Sequence, residues 1–220
     1  MMNLLTTLGA ITALATAPLA VSLQGAAPAA PAIAAPATTG ALSAAERSAI
    51  LKEVAKALSD VKTAKGKFEQ VAPDYSESTG TFAISRPGKV RFDYNDPTPI
   101  LIVSDGATVA MQDSDLETTD RVPLSSTPLS LLLDDNLDFE REAQVLDVIR
   151  TNGRIGVTLR DRSGEMDGTL TLVMSDVTKE LIGWRTEDSG GNITSVQLSD
   201  VEYGKKLNPR LFIMKDFEDD

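Results

Sequence analysis

One stretch, Gly80 to Gly106 (GTFAISRPGKVRFDYNDPTPILIVSDG), leaves the chain little choice of architecture. Thr81 to Ser85 alternates, which sets Phe82 and Ile84 on one face of a strand. Arg86-Pro87-Gly88-Lys89 fits a type II turn. Proline presets φ at the second position, and glycine accepts positive φ at the third. Val90, Phe92 and Tyr94 form the next apolar face, with Arg91 and Asp93 opposite. Asn95-Asp96-Pro97 turns the chain again, Ile100 to Ser104 reads as a third strand, and Asp105-Gly106 is a two-residue hairpin signal. Beyond it, Val109 and Met111 share a face. Consecutive antiparallel strands with large side chains on one side predict a curved sheet that covers apolar material. On alternation alone the inner-face residues are Phe82, Ile84, Val90, Phe92, Tyr94, Leu101, Val103 and Met111.

The rest of the chain predicts more strand around few helices. Ser43 and Glu46 are spaced as a capping box. They open a helix whose apolar face is Ile50, Val54, Ala57, Leu58 and Val61. Ala64 to Val71 follows as a strand with Gly66, Phe68 and Gln70 on one face, and Ala72 to Ser78 reads as a polar loop. Gln112 to Arg121 is an acidic surface connection with some strand. In Ser125 to Asp135, Thr127 fits an N-cap and Pro128 the first helical position of a short helix bearing Leu129, Leu131, Leu132 and Leu133. The second half reads as a meander. Ala143, Val145 and Val148 alternate loosely before an Asn152-Gly153 hairpin turn. Strands then carry Ile155, Val157 and Leu159, next Leu170, Leu172 and Met174, then the only tryptophan, Trp184, and finally Ile193 to Leu198. Residues 216–220 read as a solvated acidic tail.

Residues 1–40 differ in composition. Leu4 to Leu23 is apolar and Ala26 to Ala37 is rich in Ala and Pro, which predicts a secretory signal peptide and a flexible mature start, although no Lys or Arg precedes Arg47. An N-terminal membrane anchor is the alternative. Residues 41–220 are expected to form one domain, long enough to bury a sizeable core.

Composition removes several kinds of chemistry. The formal charge is -11, which argues against nucleic acid and against adhesion to anionic lipid. There is no cysteine and no histidine. Cysteine nucleophiles, disulfides and the usual zinc sites are therefore excluded, and serine nucleophiles lack a histidine base. Without cysteine the chain also lacks the residue through which bacterial lipoproteins are anchored. No enzymatic constellation, metal site or cofactor is expected. A glycosidase-like enzyme would require two facing carboxylates, and Asp113, Asp115, Asp134 and Asp135 read as surface residues.

The stretch Gly80 to Ile84, Arg86-Pro87, Val90-Arg91-Phe92-Asp93-Tyr94 and Val103-Ser104-Asp105-Gly106 resembles, in order and spacing, the LolA family of periplasmic lipoprotein carriers. Phe68 and Gln70, and the closing Asn208-Pro209 and Leu211-Phe212, are similar to that family too, so the likeness runs from about Ser43 to Phe212. It implies an α+β, mainly β fold: an incompletely closed antiparallel β-barrel (half-barrel) with helices forming a lid over a hydrophobic cavity. It implies a monomeric, non-enzymatic periplasmic chaperone without cofactor. Its partners would be acylated lipoprotein cargo, an inner-membrane ABC-type lipoprotein-releasing complex and an outer-membrane acceptor protein. Arg86 would sit at the barrel rim and gate the lid. Pro128, Leu129, Leu131, Leu132 and Leu133 would form a lid helix, and the eight inner-face residues would line an acyl-chain cavity. A lid answers an energetic need. About 45 methylenes on a triacylated cargo, at roughly 0.8 kcal/mol each, would be worth about 36 kcal/mol if fully buried. A regulatory or sensor module on a similar half-barrel, which carries no lipoprotein, is the alternative function.

Overall fold

A computed structural model describes residues 42–135, 137–139, 143–162, 164 and 167–215. The signal or anchor segment, the acidic tail and parts of the 140–142 and 163–166 connections lie outside the described residues.

The first helix, α1, spans Ala44–Asp60 and starts as its sequence specifies. The Ser43 hydroxyl accepts from the Glu46 amide, and the Glu46 carboxylate accepts from the Ser43 amide at 2.8 Å. Ile50, Val54 and Leu58 are its buried face. Eleven strands follow: β1 Thr63–Val71, β2 Glu77–Ser85, β3 Lys89–Tyr94, β4 Ile100–Asp105, β5 Thr108–Asp113 and β6 Thr118–Pro123 in the first half. After a 3-10 turn (Leu124–Ser126) and the short helix α2 (Leu129–Leu133) come β7 Ala143–Thr151, β8 Arg154–Asp161, β9 Thr169–Ser175, β10 Leu181–Glu187 and β11 Ile193–Tyr203. A last 3-10 turn covers Pro209–Phe212.

All pairings are antiparallel, in the order β6-β5-β4-β3-β2-β1-β11-β10-β9-β8-β7. The sheet does not close, since the terminal strands β6 and β7 do not pair with each other among the described residues. Core residues of the left wing (Phe92, Ile102, Met111) and the right wing (Leu159, Leu172, Met174) join one apolar cluster with both helices. One face of the sheet therefore wraps around α1 and α2.

The turns obey their residues. Gly88 has φ 73°, Asn152 and Gly153 have φ 51° and 71°, and the Arg86–Pro87 and Asp96–Pro97 peptides are cis. The Asp105-Gly106 hairpin is wider than a two-residue turn. Its innermost pair is Ser104 with Val109, and the Asp105 carboxylate accepts from the Ala107 and Thr108 amides. Glu77 and Ser78, read as loop, already belong to β2, and β11 runs on to Tyr203. Thr127 is not an N-cap. Its hydroxyl donates to the Leu124 carbonyl at 2.8 Å, and Pro128 occupies the cap position ahead of Leu129.

Two of the eight inner-face assignments are corrected by register. Ile102 lies opposite Phe92 and Met111, inside, whereas Val103 lies opposite Arg91 and Ala110, and Leu101 opposite Asp93 and Gln112. Leu101 and Val103 thus stand on the outer face. The reason is a second, small apolar layer. The C-terminal 3-10 turn packs on the outside of β3 and β4, with Phe212 buried beside Val103 and Ala110, and Arg91 donating to the Leu211 carbonyl at 3.3 Å.

Candidate functional site: a clasped lid over an apolar interior

The site is assembled around the β2–β3 turn. A helix ends with carbonyl groups that have no partner within it, and with partial negative charge. α1 has no basic residue in its last turn. Arg86 supplies what is missing. Its Nη1 donates to the Leu58 carbonyl and, at 2.7 Å, to the Val61 carbonyl. Its Nε and Nη2 donate to the Leu132 carbonyl of α2 at 3.3 and 2.7 Å. Two residues on, the Gly88 amide donates to the Leu133 carbonyl at 3.0 Å. A single turn thereby holds the C-terminal ends of both helices. Arginine suits this role because one planar group points several donors in fixed directions.

Arg86 stands in a turn, yet it is only 9% exposed. Burial pushes its pKa down to about 10, opposed by the negative charges of Asp134 and Asp135. Gly88 has no room for a side chain. A Cβ there would stand 2.7 Å from the Gly106 backbone, so the clasp turn lies against the β4–β5 hairpin.

Inside, Leu129, Leu131, Leu132 and Leu133 of α2 are all buried against the sheet, while Pro128 precedes them at the cap. Phe82, Ile84, Val90, Phe92 and Met111 are buried in the same cluster, and Tyr94 packs against it half-buried. Alternation alone passed over several partners. Phe68 stands edge-on to Phe92 and Tyr94 at 5.3 and 4.9 Å, and Trp184 packs 5.9 Å from Phe92. Ile102, together with Val109 on the face that alternation gives it in common with Met111, completes the left wing. Phe68 shows in the sequence as the large residue on the β1 face with Gly66 and Gln70. Trp184 shows only as the lone tryptophan. The Tyr94 hydroxyl donates to the Gln70 Oε1 at 2.8 Å, and burial pushes its pKa up.

The interior is filled unevenly. Between Leu129 and the ring cluster a void of about 10 Å³ remains. Under the C-terminal end of α1 there is a cavity of about 310 Å³, walled by Ala57, Leu58, Phe82, Ile84, Met174, Leu181, Leu198 and Val201, with Arg86 at its side and Tyr203 on its wall. Asp60, Thr178, Lys179 and Glu180 stand around it where the β9–β10 connection approaches α1. That connection is tied to the helix. Lys179 contacts Glu53 at 3.2 Å and Asp176 at 2.9 Å, and Arg150 contacts Asp176 at 2.6 Å. Among the described residues no group of His, Cys, Asp or Glu could hold a metal ion, and no helix is long and apolar enough to cross a membrane.

A half-barrel whose apolar lining is covered by two clasped helices is an arrangement that shared sequence can now place. The profile of the family described as "Outer membrane lipoprotein carrier protein LolA" matches residues 59–215. This chain belongs to that family. Outer-membrane lipoprotein carrier proteins from Methylococcus capsulatus and Alkalilimnicola ehrlichii are similar to it. They share 33% identity over 164 residues (70% of this chain, 78% of that protein) and 32% over 179 residues (76% and 80%). The solved structure of a LolA superfamily protein from Nitrosomonas europaea superposes with a TM-score of 0.43 at 10% identity, covering 74% of this chain and 97% of that one. In this LolA-family chain the Arg-Pro turn and the leucine helix are in contact with each other.

Proposed function

We propose that this protein is a soluble periplasmic chaperone that shelters the acyl chains of lipoproteins. It takes them from an inner-membrane ABC-type releasing complex and hands them to an outer-membrane acceptor, with no covalent step. The observation that carries this reading is the clasp: one buried arginine bridging carbonyls of two separate helices that cover an otherwise open apolar sheet face.

The volumes support a moving lid. At about 30 Å³ per methylene-sized group, the 310 Å³ cavity takes about ten such groups, against about 45 on a triacylated cargo. Cargo therefore has to displace α2, α1 or both. Leu129, Leu131, Leu132 and Leu133 then exchange sheet contacts for acyl-chain contacts, and Phe82, Ile84, Val90, Phe92, Tyr94 and Met111 become cavity lining. Leu101 and Val103, on the outer face, take no part.

The test is mass spectrometry of the protein purified from periplasm, joined to a spheroplast release assay. Bound triacylated lipoprotein and release into the supernatant are expected. Arg86→Leu is expected to disturb release or delivery. Absence of acylated cargo and of release would favour a regulatory module instead.

A further inference from the structure

We infer that the cavity under the end of α1 is the port for a single acyl chain, which the closed protein admits up to about ten carbons without moving α2. The inference rests on the carrier reading and adds where and in what order cargo enters.

The two ends of the interior differ. The space beneath Leu129 is about 10 Å³, too small for any chain, whereas the space beneath the α1 terminus is about 310 Å³. Taking about 30 Å³, the liquid volume of a water molecule, for each methylene, the latter matches one chain of about ten methylenes. Its walls are mostly apolar and come from five strands and α1; Asp60, Thr178, Lys179 and Glu180 lie where the β9–β10 connection meets the helix, and Arg86 and Tyr203 stand apart from them. Val177, the residue before the lining Thr178, is 86% exposed, an apolar side chain in water. A first chain can therefore bind without paying for lid opening.

The cavity also touches the clasp. Leu58 and Val61 line it, and their carbonyls are the two on α1 that Arg86 holds. A chain that threads beyond the cavity toward α2 presses on this end of α1, and so on those hydrogen bonds. The same guanidinium then loses its fixed position against Leu132, and α2 is freed. Chain length thus becomes the signal that opens the lid.

The molecule contains its own reporter. Trp184, the only tryptophan, is buried against Phe92 and borders the small void under Leu129, so its emission responds when α2 leaves. The experiment titrates the full chain with saturated fatty acids of eight to sixteen carbons, reading binding by calorimetry and lid state by Trp184 emission. Octanoate and decanoate are expected to bind one per protein with unchanged emission, and tetradecanoate and hexadecanoate to bind with a red shift. Ala57→Phe, which fills the cavity from α1, is expected to weaken decanoate binding at least tenfold. Ala110→Leu, which fills the separate outer-face hollow beside Phe212, is expected to leave it unchanged. No saturable decanoate binding, equal binding by Ala57→Phe, or a red shift already with octanoate would each overturn the port. Spheroplast release by the unaltered protein is run alongside. Release without decanoate binding removes the port and leaves the carrier, and loss of release removes the carrier itself.

Discussion

Replacing Arg86 by leucine tests whether the clasp sets the lid equilibrium. The guanidinium reaches three carbonyl oxygens, those of Leu58, Val61 and Leu132. Hydrogen bonds to a charged group are worth about 1.5–3 kcal/mol each, or about 5–9 kcal/mol together. Against this stands the desolvation of the guanidinium. A pKa pushed down to about 10 from 12.5 corresponds to about 3 kcal/mol disfavouring the charged group. The remainder centres near 3 kcal/mol in favour of the closed lid, a shift of about a hundredfold in the closed-to-open ratio. The amide to watch is Gly88, because it donates to the Leu133 carbonyl and is released when α2 leaves. Its hydrogen exchange, followed by NMR, is expected to accelerate by about a hundredfold in Arg86→Leu. Arg86→Lys is expected to fall between, since one ammonium cannot span both helix ends with fixed donors. If Gly88 protection in Arg86→Leu stays within about threefold of the unaltered protein, the clasp does not hold the lid and the estimate above is wrong.

Three further outcomes follow from particular contacts. Gly80→Ala places a Cβ on the Asp93 carbonyl and 2.6 Å from the Phe68 ring, where backbone cannot yield. A loss of about 3 kcal/mol, or roughly 6–12 °C in Tm by circular dichroism, is expected. Tyr94→Phe strips the buried Gln70 amide of its partner and is expected to cost about 1–3 kcal/mol in urea unfolding, while adding Gln70→Leu recovers most of it. Asp176 accepts from Arg150 and Lys179, which hold its carboxyl below the ordinary 3.8. A carboxylate with a depressed folded pKa stabilises above its unfolded value and loses that contribution as pH falls through the folded one. Stability of the unaltered protein is therefore expected to drop on acidification below about pH 4, and Asp176→Asn to flatten that part of the curve.

What could be read from the sequence was local, and what could not was contact between distant segments. The turns at Gly88 and Asn152-Gly153 are written in residues that tolerate positive φ, and α1 is written in the Ser43–Glu46 box. Faces were legible where polar residues mark the outer side of a strand, as in β3, where Arg91 and Asp93 alternate with Val90, Phe92 and Tyr94. In β4 both sides are covered, one by the helices and one by Phe212, so Ile100 to Val103 is a continuous apolar run and parity carries no information. In β7 a register shift between Val145 and Asp147 turns Val145 and Val148 to the same side, which is why alternation there looked loose. Arg86 is the sharpest case. Its partners lie 28, 25 and 46 residues away; the tetrapeptide alone reads as a turn, and only the resemblance to the LolA family points from Arg86 to the helices.

Under the proposed function, the lid also decides whether a carrier can let go. α2 has five helical residues, too few to persist alone, so its order depends on four buried leucines and the clasp. Taking those leucines off the sheet costs at most about 6–12 kcal/mol, the value without any acyl-chain contact in exchange, and breaking the clasp about 3 more. Full burial of about 36 kcal/mol of cargo, less these amounts, still leaves about 21 kcal/mol or more, at or above the ceiling of noncovalent affinity and effectively irreversible. Reversible transfer therefore requires that the chains remain partly exposed. A sheet that ends at β6 and β7 without joining them leaves such exposure built in, whereas a closed barrel of the same residues would bind its cargo and keep it.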